Sequence, residues 1–485
     1  MTELEEVKTL DVASYGQSVA IIGGGLAGMA AALAARQEGL HVELFEQGNR
    51  LGGRVCSLEE SWNGQIIDHC QHVAMGCCTN FLDFCRRTGV MDCFEKYDTI
   101  YFIGPDGRQS DITPVRWLPA PLHLLPGLLR LKFLSRRERW SIVRTIRKLV
   151  RLRISKENDD ESIGAWLIRQ GQSQSARDGF WSAVLVSALS ETLDHASLQA
   201  AKKVFWDGFC ASRGACELYM PKVPLRVVFN GRVSDRLERE GVCIHRGVGV
   251  KQIASDGRGG WDLSLYDGYT RKFHAVIIAV PWYCVERLIF LSTTRLQWHE
   301  VIEKFQPSAI SAIHLWFDRA ITPLPHAVLA GRLSQWVFNM SSLTKAARSS
   351  LNGHSSGKIC SGQDNAFYYQ VVISAAHRFV KNGKDELLSA VVNDLQAVFP
   401  EARKANLLHS QIVTRPKAVF SMQPGLDRFR PAQDTKAPGL FLAGDWTDTG
   451  WPATMEGAVR SGYLAMEELL KFLGRPKKIL ADDLA

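Results

Sequence analysis

The sequence predicts a mixed α/β (α+β) fold in two lobes, with ligand-binding motifs near both ends of the chain. Three observations carry this expectation. A strand–turn–helix–strand pattern occupies 18–46, SVAIIGGGLAGMAAALAARQEGLHVELFE. A short strand leading to Gly444 and Asp445, then a helix of small residues, lies at 439–462. The 485 residues also exceed the length at which one hydrophobic core keeps growing, which predicts two lobes.

In the first pattern, the apolar run 19–22 reads as a buried parallel strand. It meets Gly23, Gly25 and Gly28 in G-x-G-x-x-G spacing, and the Ala- and Leu-rich run 29–36 reads as a helix. A second β-rich run, 42–45, ends in Glu46. Each residue type has a physical reason. Gly23 permits the tight turn, Gly25 lets a pyrophosphate approach the backbone, and Gly28 lets helix and strand pack closely. The helix N-terminus offers N–H groups to phosphates. Glu46 has the spacing of a carboxylate that accepts ribose hydroxyls. The expectation is a dinucleotide site; the alternative is a βαβ turn without a ligand.

A hydrophobic content of 46% and a charged content of 22% are typical of a soluble globular protein. Segment 1–15 carries Glu3, Glu5, Glu6 and Asp11 without an apolar core, so it does not read as a signal peptide. No run of about 18 apolar residues occurs, which argues against a spanning helix. The 11 cysteines form no metal-like pair of C-x-x-C motifs and are expected to be reduced core residues, with no metal bound. The net charge of +8 leaves nucleic acid, membrane or neither open until its distribution is considered.

After Glu46 comes QGNRLGGRV, 47–55. Gly52 and Gly53 again bring backbone close to something, and the Arg54 guanidinium is placed to pair with phosphate oxygens. The glycine fingerprint, Glu46 and the RLGGR run together resemble the FAD-binding start of the amine oxidase and phytoene desaturase superfamily. That resemblance implies a Rossmann-like FAD-binding domain, with FAD rather than NAD as the dinucleotide. It places Glu46 on the adenosine ribose, and Gly53 and Arg54 near the pyrophosphate. No cysteine motif for covalent flavin attachment is evident, so noncovalent binding is expected.

The run IIDHCQHVAMGCC, 66–78, resembles the squalene-associated desaturase-like branch, the hydroxysqualene dehydroxylases, in Gln71, His72 and Val73. In the superfamily this segment passes near the flavin. A glycine is more usual at the Cys70 position, so the chain departs there. His72 is a candidate proton donor or polar clamp, with Gln71 beside it; a single histidine is also commonly a satisfied structural residue. Next, 79–89 reads as an amphipathic helix ended by Gly89, and 101–107 as a hairpin.

The stretch 122–154, LHLLPGLLRLKFLSRRERWSIVRTIRKLVRLRI, has ten basic residues against one acid, Glu138, with apolar residues interleaved at helical spacing. Such a basic amphipathic stretch suits an anionic membrane surface. Nucleic acid is the rival, but no recognised binding module surrounds it. Helices with Trp166 and Trp181 on apolar faces are expected over 162–190, and a turn followed by a short helix at 221–224. A β-rich section begins at 243. Within it, the resemblance implies that Val250 binds adenine through its backbone. Strands are expected at 261–266, 270–274 and 275–281, the last ending at Pro281. Further strands at 310–317 and 366–373, a helix at 384–399 and an exposed loop at 348–362 fill the middle.

At the far end, the resemblance puts Gly444 and Asp445 against the ribitol–pyrophosphate portion, and Thr454 and Met455 at the start of a helix aimed at the flavin ring. N–H groups there would stabilise negative charge on reduced flavin. The implied division is FAD-binding at 16–75, 214–290 and 412–474, with the substrate and membrane-facing parts at 76–213 and 291–411. Monoamine-type oxidases carry an aromatic residue before Met-Glu-Gly, where this chain has Thr454, which lowers the amine oxidase reading although Trp451 could compensate. The Gln71–His72 segment, the stretch 122–154 and the run 450–457 together resemble the hydroxysqualene dehydroxylases, and that resemblance implies reductive dehydroxylation of hydroxysqualene to squalene at the expense of FADH2. A carotenoid-type desaturase is the first alternative; an amine oxidase or a non-catalytic flavoprotein is less favoured. The implied partners are a long apolar isoprenoid, an unidentified electron donor and the membrane surface, in a cytoplasmic protein held on the inner face of the membrane.

Overall fold

The computed structural model describes residues 17–62, 64–288, 299–344, 366–377, 379 and 383–484. The N-terminal segment and the loop expected at 348–362 lie outside these residues. The central sheet has five parallel strands in the order Cys243–Arg246, His41–Glu46, Ser18–Ile22, Ala275–Ile278, Leu440–Leu442. Strands from the two chain ends thus lie two places apart in one sheet, both flanking Ala275–Ile278. Ser18–Ile22, Ala275–Ile278 and Leu440–Leu442 are buried throughout, as strands covered on both faces require.

The helix Leu26–Gln37 is buried from Leu26 to Ala35. Its alanines give it little width, and the C-terminal helix Met455–Phe472 packs directly on it. A Cβ at Gly462 would stand 2.3 Å from the Ala27 carbonyl oxygen, so that crossing requires glycine. Next to the sheet, Val250–Ser255, Trp261–Leu265 and Thr270–Phe273 form a three-stranded antiparallel meander.

The second lobe is a seven-stranded sheet in the order Leu407–Phe420, Pro307–Phe317, Phe367–Ile373, Trp336–Asn339, His326–Leu329, Ile100–Ile103, Gln109–Ile112. The hairpin near residue 101 therefore joins strands from much later in the chain, through the parallel pairing of Ile100–Ile103 with His326–Leu329. The lobe is discontinuous.

Two details differ from the expected division. The strand Leu407–Phe420 runs unbroken past residue 411, because it pairs with Pro307–Phe317 as far as Phe420. The helix Thr79–Thr88, ended by left-handed Gly89, packs Phe81, Phe84 and Cys85 into the core around Leu26–Gln37 rather than into the substrate lobe.

The basic stretch also breaks up. It holds short turns at Leu122–Leu124 and Leu125–Leu128, then one full helix, Arg136–Arg151. Ser135 and Glu138 form a reciprocal capping box at its start. Ile142, Thr145 and Leu149 face inward, while Trp140 is half exposed. Among the described residues no helix is long and apolar enough to cross a membrane.

Candidate functional site

The glycine turn sits at the carboxyl edge of the parallel sheet, where such sheets bind ligands. Gly23 has φ +110°, and a Cβ there would meet the Ala279 carbonyl oxygen at 2.6 Å. A Cβ on Gly28 would meet the Gly23 carbonyl oxygen at 1.9 Å. Gly25 is different: its φ is −75°, and a Cβ there would meet nothing within 4 Å. Open space over a backbone N–H at a helix start is the cradle a pyrophosphate needs.

The loop after Glu46 folds back on this turn. Gly52 donates its N–H to the Gly24 carbonyl at 2.8 Å, and a Cβ on Gly53 would lie 3.1 Å from the Gly25 Cα. Glu46 accepts N–H bonds from Gly24 (2.8 Å) and Gly48 (2.7 Å), so its carboxylate stands at the rim of the cradle. Val248 donates to the Glu46 carbonyl at 3.0 Å, and Val250, two residues on, is buried at the start of the strand Val250–Ser255.

The far end of the chain closes the site. Arg54 bonds Asp445 at 2.5 Å and the Ala418 carbonyl at 2.9 Å. Gly444 has φ +136° and donates its N–H to Ser461 Oγ at 2.7 Å. Thr454 caps the last helix by accepting the Gly457 N–H at 3.1 Å, and Met455 begins that helix.

Gln71 is 6% exposed, yet both its amide oxygen and its amide nitrogen lack a hydrogen-bond partner. A buried orphaned amide is costly unless a ligand serves it. It lies two residues past His69, in the segment following the Gly-Gly-Arg loop. With the Gly25 cradle it fits a flavin dinucleotide. His72 Nδ1 lies 2.7 Å from the Cys70 carbonyl oxygen. That oxygen only accepts, so Nδ1 carries the proton and Nε2 is left for another partner. Burial holds the His72 imidazole below its ordinary pKa, with Arg54 adding to the effect.

Several residues escaped the sequence reading. Buried Arg430 donates to Asp427 (2.9 Å), to Thr449 Oγ1 (2.9 Å) and to the carbonyls of Asp445 (2.9 Å), Thr447 (2.5 Å) and Trp451 (2.7 Å). It therefore gathers the whole 445–451 loop around one guanidinium. Glu456, fully buried, accepts the N–H groups of Asn80 (3.2 Å) and Phe81 (2.7 Å) and so caps the helix Thr79–Thr88 from another part of the chain. Glu43, Cys243 and His245 converge closely enough to hold a metal, but Arg271 already pairs with Glu43 at 2.5 Å.

Asp68 is 5% exposed and accepts Ser57 Oγ (2.6 Å) and the Leu225 N–H (2.9 Å). Burial pushes its carboxyl up to about 7, against these two bonds. Below about pH 4 it is protonated in both folded and unfolded chains. Between about pH 4 and 7 the unfolded chain ionises while folded Asp68 keeps its proton, so stability falls as pH rises and levels off above. Asp68→Asn is expected to flatten that slope in urea midpoints measured from pH 4 to 7. Parallel slopes for the two proteins would contradict the assignment.

Residues 26–470 match the flavin containing amine oxidoreductase family. A zeta-carotene desaturase from Synechocystis sp. is 24% identical over 93% of this chain and 97% of its own length. A 15-cis-phytoene desaturase from Solanum lycopersicum is 23% identical over 96% of this chain and 80% of its own. Among solved structures, an oxidoreductase from Methanosarcina mazei superposes with TM-score 0.69 at 18% identity, covering 94% of this chain and 100% of that one. Wild-type putrescine oxidase bound to putrescine gives TM-score 0.65 at 16% identity, covering 95% and 99%.

Proposed function

The chain belongs to the family of flavin-containing amine oxidoreductases, with FAD as its cofactor, and we propose that it reductively dehydroxylates a long isoprenoid, hydroxysqualene, to squalene. The observation that carries this reading is a cavity of about 240 Å³ reaching from Ile154, at the end of the basic stretch, to Gly450, Trp451 and Pro452, just before the helix start at Met455. An isoprenoid alcohol collected from lipid, a hydrocarbon chain with one polar group, needs a route with mixed apolar and polar walls. Thr454, in place of an aromatic cage residue, disfavours amine oxidation.

Bound FADH2 would supply the hydride. The protein supplies the rest. The Gly25 cradle, Glu46, Arg54 and Asp445 would bind and orient the dinucleotide, Val250 would flank the adenine, and Gln71 would serve the flavin with its unpartnered amide. The N–H groups at the helix start at Met455 would stabilise the negative charge of the reduced flavin before it gives up hydride. Loss of the allylic hydroxyl as water needs one proton, and His72 Nε2 delivers it, directly or through a water. Because burial lowers its pKa, the protonated imidazole is a stronger acid but scarcer at neutral pH. The single-turnover rate of prereduced enzyme is therefore expected to rise as pH falls below 7, and His72→Ala to lose that dependence with a drop of about 10²-fold. Near-normal turnover by His72→Ala would remove His72 from the reaction.

The electron donor that restores FADH2 is a separate partner. Contact with an anionic membrane from the cytoplasmic side is assigned to 122–154, where Arg136, Arg137, Arg144 and Arg147 stand exposed beside Trp140. Oxidative desaturation is the second reading, favoured because carotene desaturases are among the relatives. Anaerobic incubation of reduced enzyme with hydroxysqualene separates the two. Squalene with reoxidised flavin is expected. No reaction, together with flavin reduction by phytoene, would reverse the choice.

A further inference from the structure

The cavity between the helical region and the 450–452 loop has a polar lining that a hydrocarbon does not explain. Trp451 is 6% exposed, and its indole N–H has no hydrogen-bond partner. Gln199 Oε1 and Arg430 Nε, on residues lining the same cavity, are also buried without partners. Three orphaned polar atoms around one space is a concentration that a bound group should relieve, since each stranded group carries a desolvation penalty.

The charges nearby narrow the ligand. Lys156 pairs with Asp448, and Lys203 pairs with Asp207 at 2.6 Å while lying over the Trp451 ring at 4.7 Å. Lys202 donates to the Leu152 carbonyl at 2.8 Å. A phosphate or carboxylate would have to compete with those partners for a cation, which disfavours an anionic head group. Asp427 also lines the cavity but is paired with Arg430 at 2.9 Å, and the other walls, including Ile154, Ala200, Met422 and Pro452, are apolar. A neutral group that both accepts and donates fits best. A hydroxyl has the chemistry for both, able to accept from an N–H such as that of Trp451 and to donate to an acceptor such as Gln199 Oε1, and it serves the amide in either orientation.

We propose that this cavity, whose lining does not include His72, selects isoprenoid alcohols by their hydroxyl on the way to the reaction site and discriminates against the corresponding hydrocarbon. The assignment rests on the reading above that the substrate is an isoprenoid alcohol. Trp451 and Gln199 determine the preference, one as donor and one as acceptor.

The test uses the full-length, FAD-loaded protein and calorimetric titration in one detergent. Farnesol and farnesene are the probes, an alcohol and a hydrocarbon of similar size. Farnesol is expected to bind roughly tenfold more tightly, the worth of about one good hydrogen bond. Trp451→Phe keeps the ring and removes the N–H; Gln199→Ala removes the acceptor. Each is expected to cut the alcohol preference at least threefold with farnesene binding unchanged, flavin content serving as the check on folding. Equal binding of both probes by the unaltered protein, binding of neither, or a preference that survives both substitutions would each overturn the proposal. A preserved alcohol preference without any turnover of hydroxysqualene would instead overturn the reaction and leave the binding site standing.

Discussion

Arg430→Ala is expected to lower stability by about 3–5 kcal/mol and to yield protein that purifies largely without flavin. The guanidinium has a side-chain exposure of only 1% and makes five hydrogen bonds to groups that have little access to water. Removing it strands the carbonyls of Asp445 and Thr447, leaves the Trp451 carbonyl to Thr449 Oγ1 at 3.2 Å, and leaves Asp427 the longer contact to Lys156, at 3.9 Å. Stranding a buried partner is the expensive case, well beyond the net worth of a surface ion pair. The functional loss follows from what the carbonyls belong to. They are those of Asp445, Thr447 and Trp451, so the clamp sets the loop that carries Asp445 to Arg54 and leads to Thr454. Arg430→Lys should rescue little, because one ammonium cannot span a fork of five acceptors. Thermal melts with and without added FAD read both parts: a lowered melt in apoprotein, and a reduced shift on adding FAD. Wild-type stability and flavin content in Arg430→Ala would refute the clamp.

The contrast between Arg430 and Glu46 shows what was legible in the sequence. The strand Ser18–Ile22, the helix Leu26–Gln37 and the strand His41–Glu46 lie within a few residues of their expected places, because their determinants are local: an apolar run, a glycine spacing, an alanine-rich face. Gly89 ends its helix at φ 72° for the same local reason. Arg430, within Asp-Arg-Phe-Arg-Pro, has the appearance of a surface charge. Its burial is created only when the 445–451 loop closes over it, a contact that periodicity does not encode. Glu456 is similar: it was read as part of a motif, whereas its carboxylate serves a helix some 375 residues away in sequence. The parallel pairing of Phe102 with Val328 is also non-local, so the hairpin near residue 101 was foreseen while its sheet was not. The break in the basic stretch was readable. Ser135 and Glu138 have the S-x-x-E spacing that starts a helix, but the leucines on either side suggest continuity and mask it.

The second large effect separates binding from folding at the fingerprint itself. Gly25→Ala is expected to leave the apoprotein's melting temperature nearly unchanged while weakening FAD binding at least a hundredfold, about 2.7 kcal/mol. Its φ of −75° is comfortable for any residue, and the added methyl meets nothing within 4 Å, so the folded chain does not register the change. Only a ligand lying against that backbone would. Gly28→Ala should behave in the opposite order. Its methyl would sit 1.9 Å from the Gly23 carbonyl oxygen, backbone against backbone, so helix and strand must separate. Overpacking of that kind costs typically 1–3 kcal/mol before any ligand is considered, and flavin loss would follow from the opened turn. Melting curves of the two apoproteins, set beside FAD titrations followed by flavin fluorescence, give four numbers. If Gly25→Ala lowered stability while keeping its flavin, the open space above Gly25 would not be the pyrophosphate's place. The cofactor would then have to sit elsewhere along the sheet edge, away from Glu46 and Arg54.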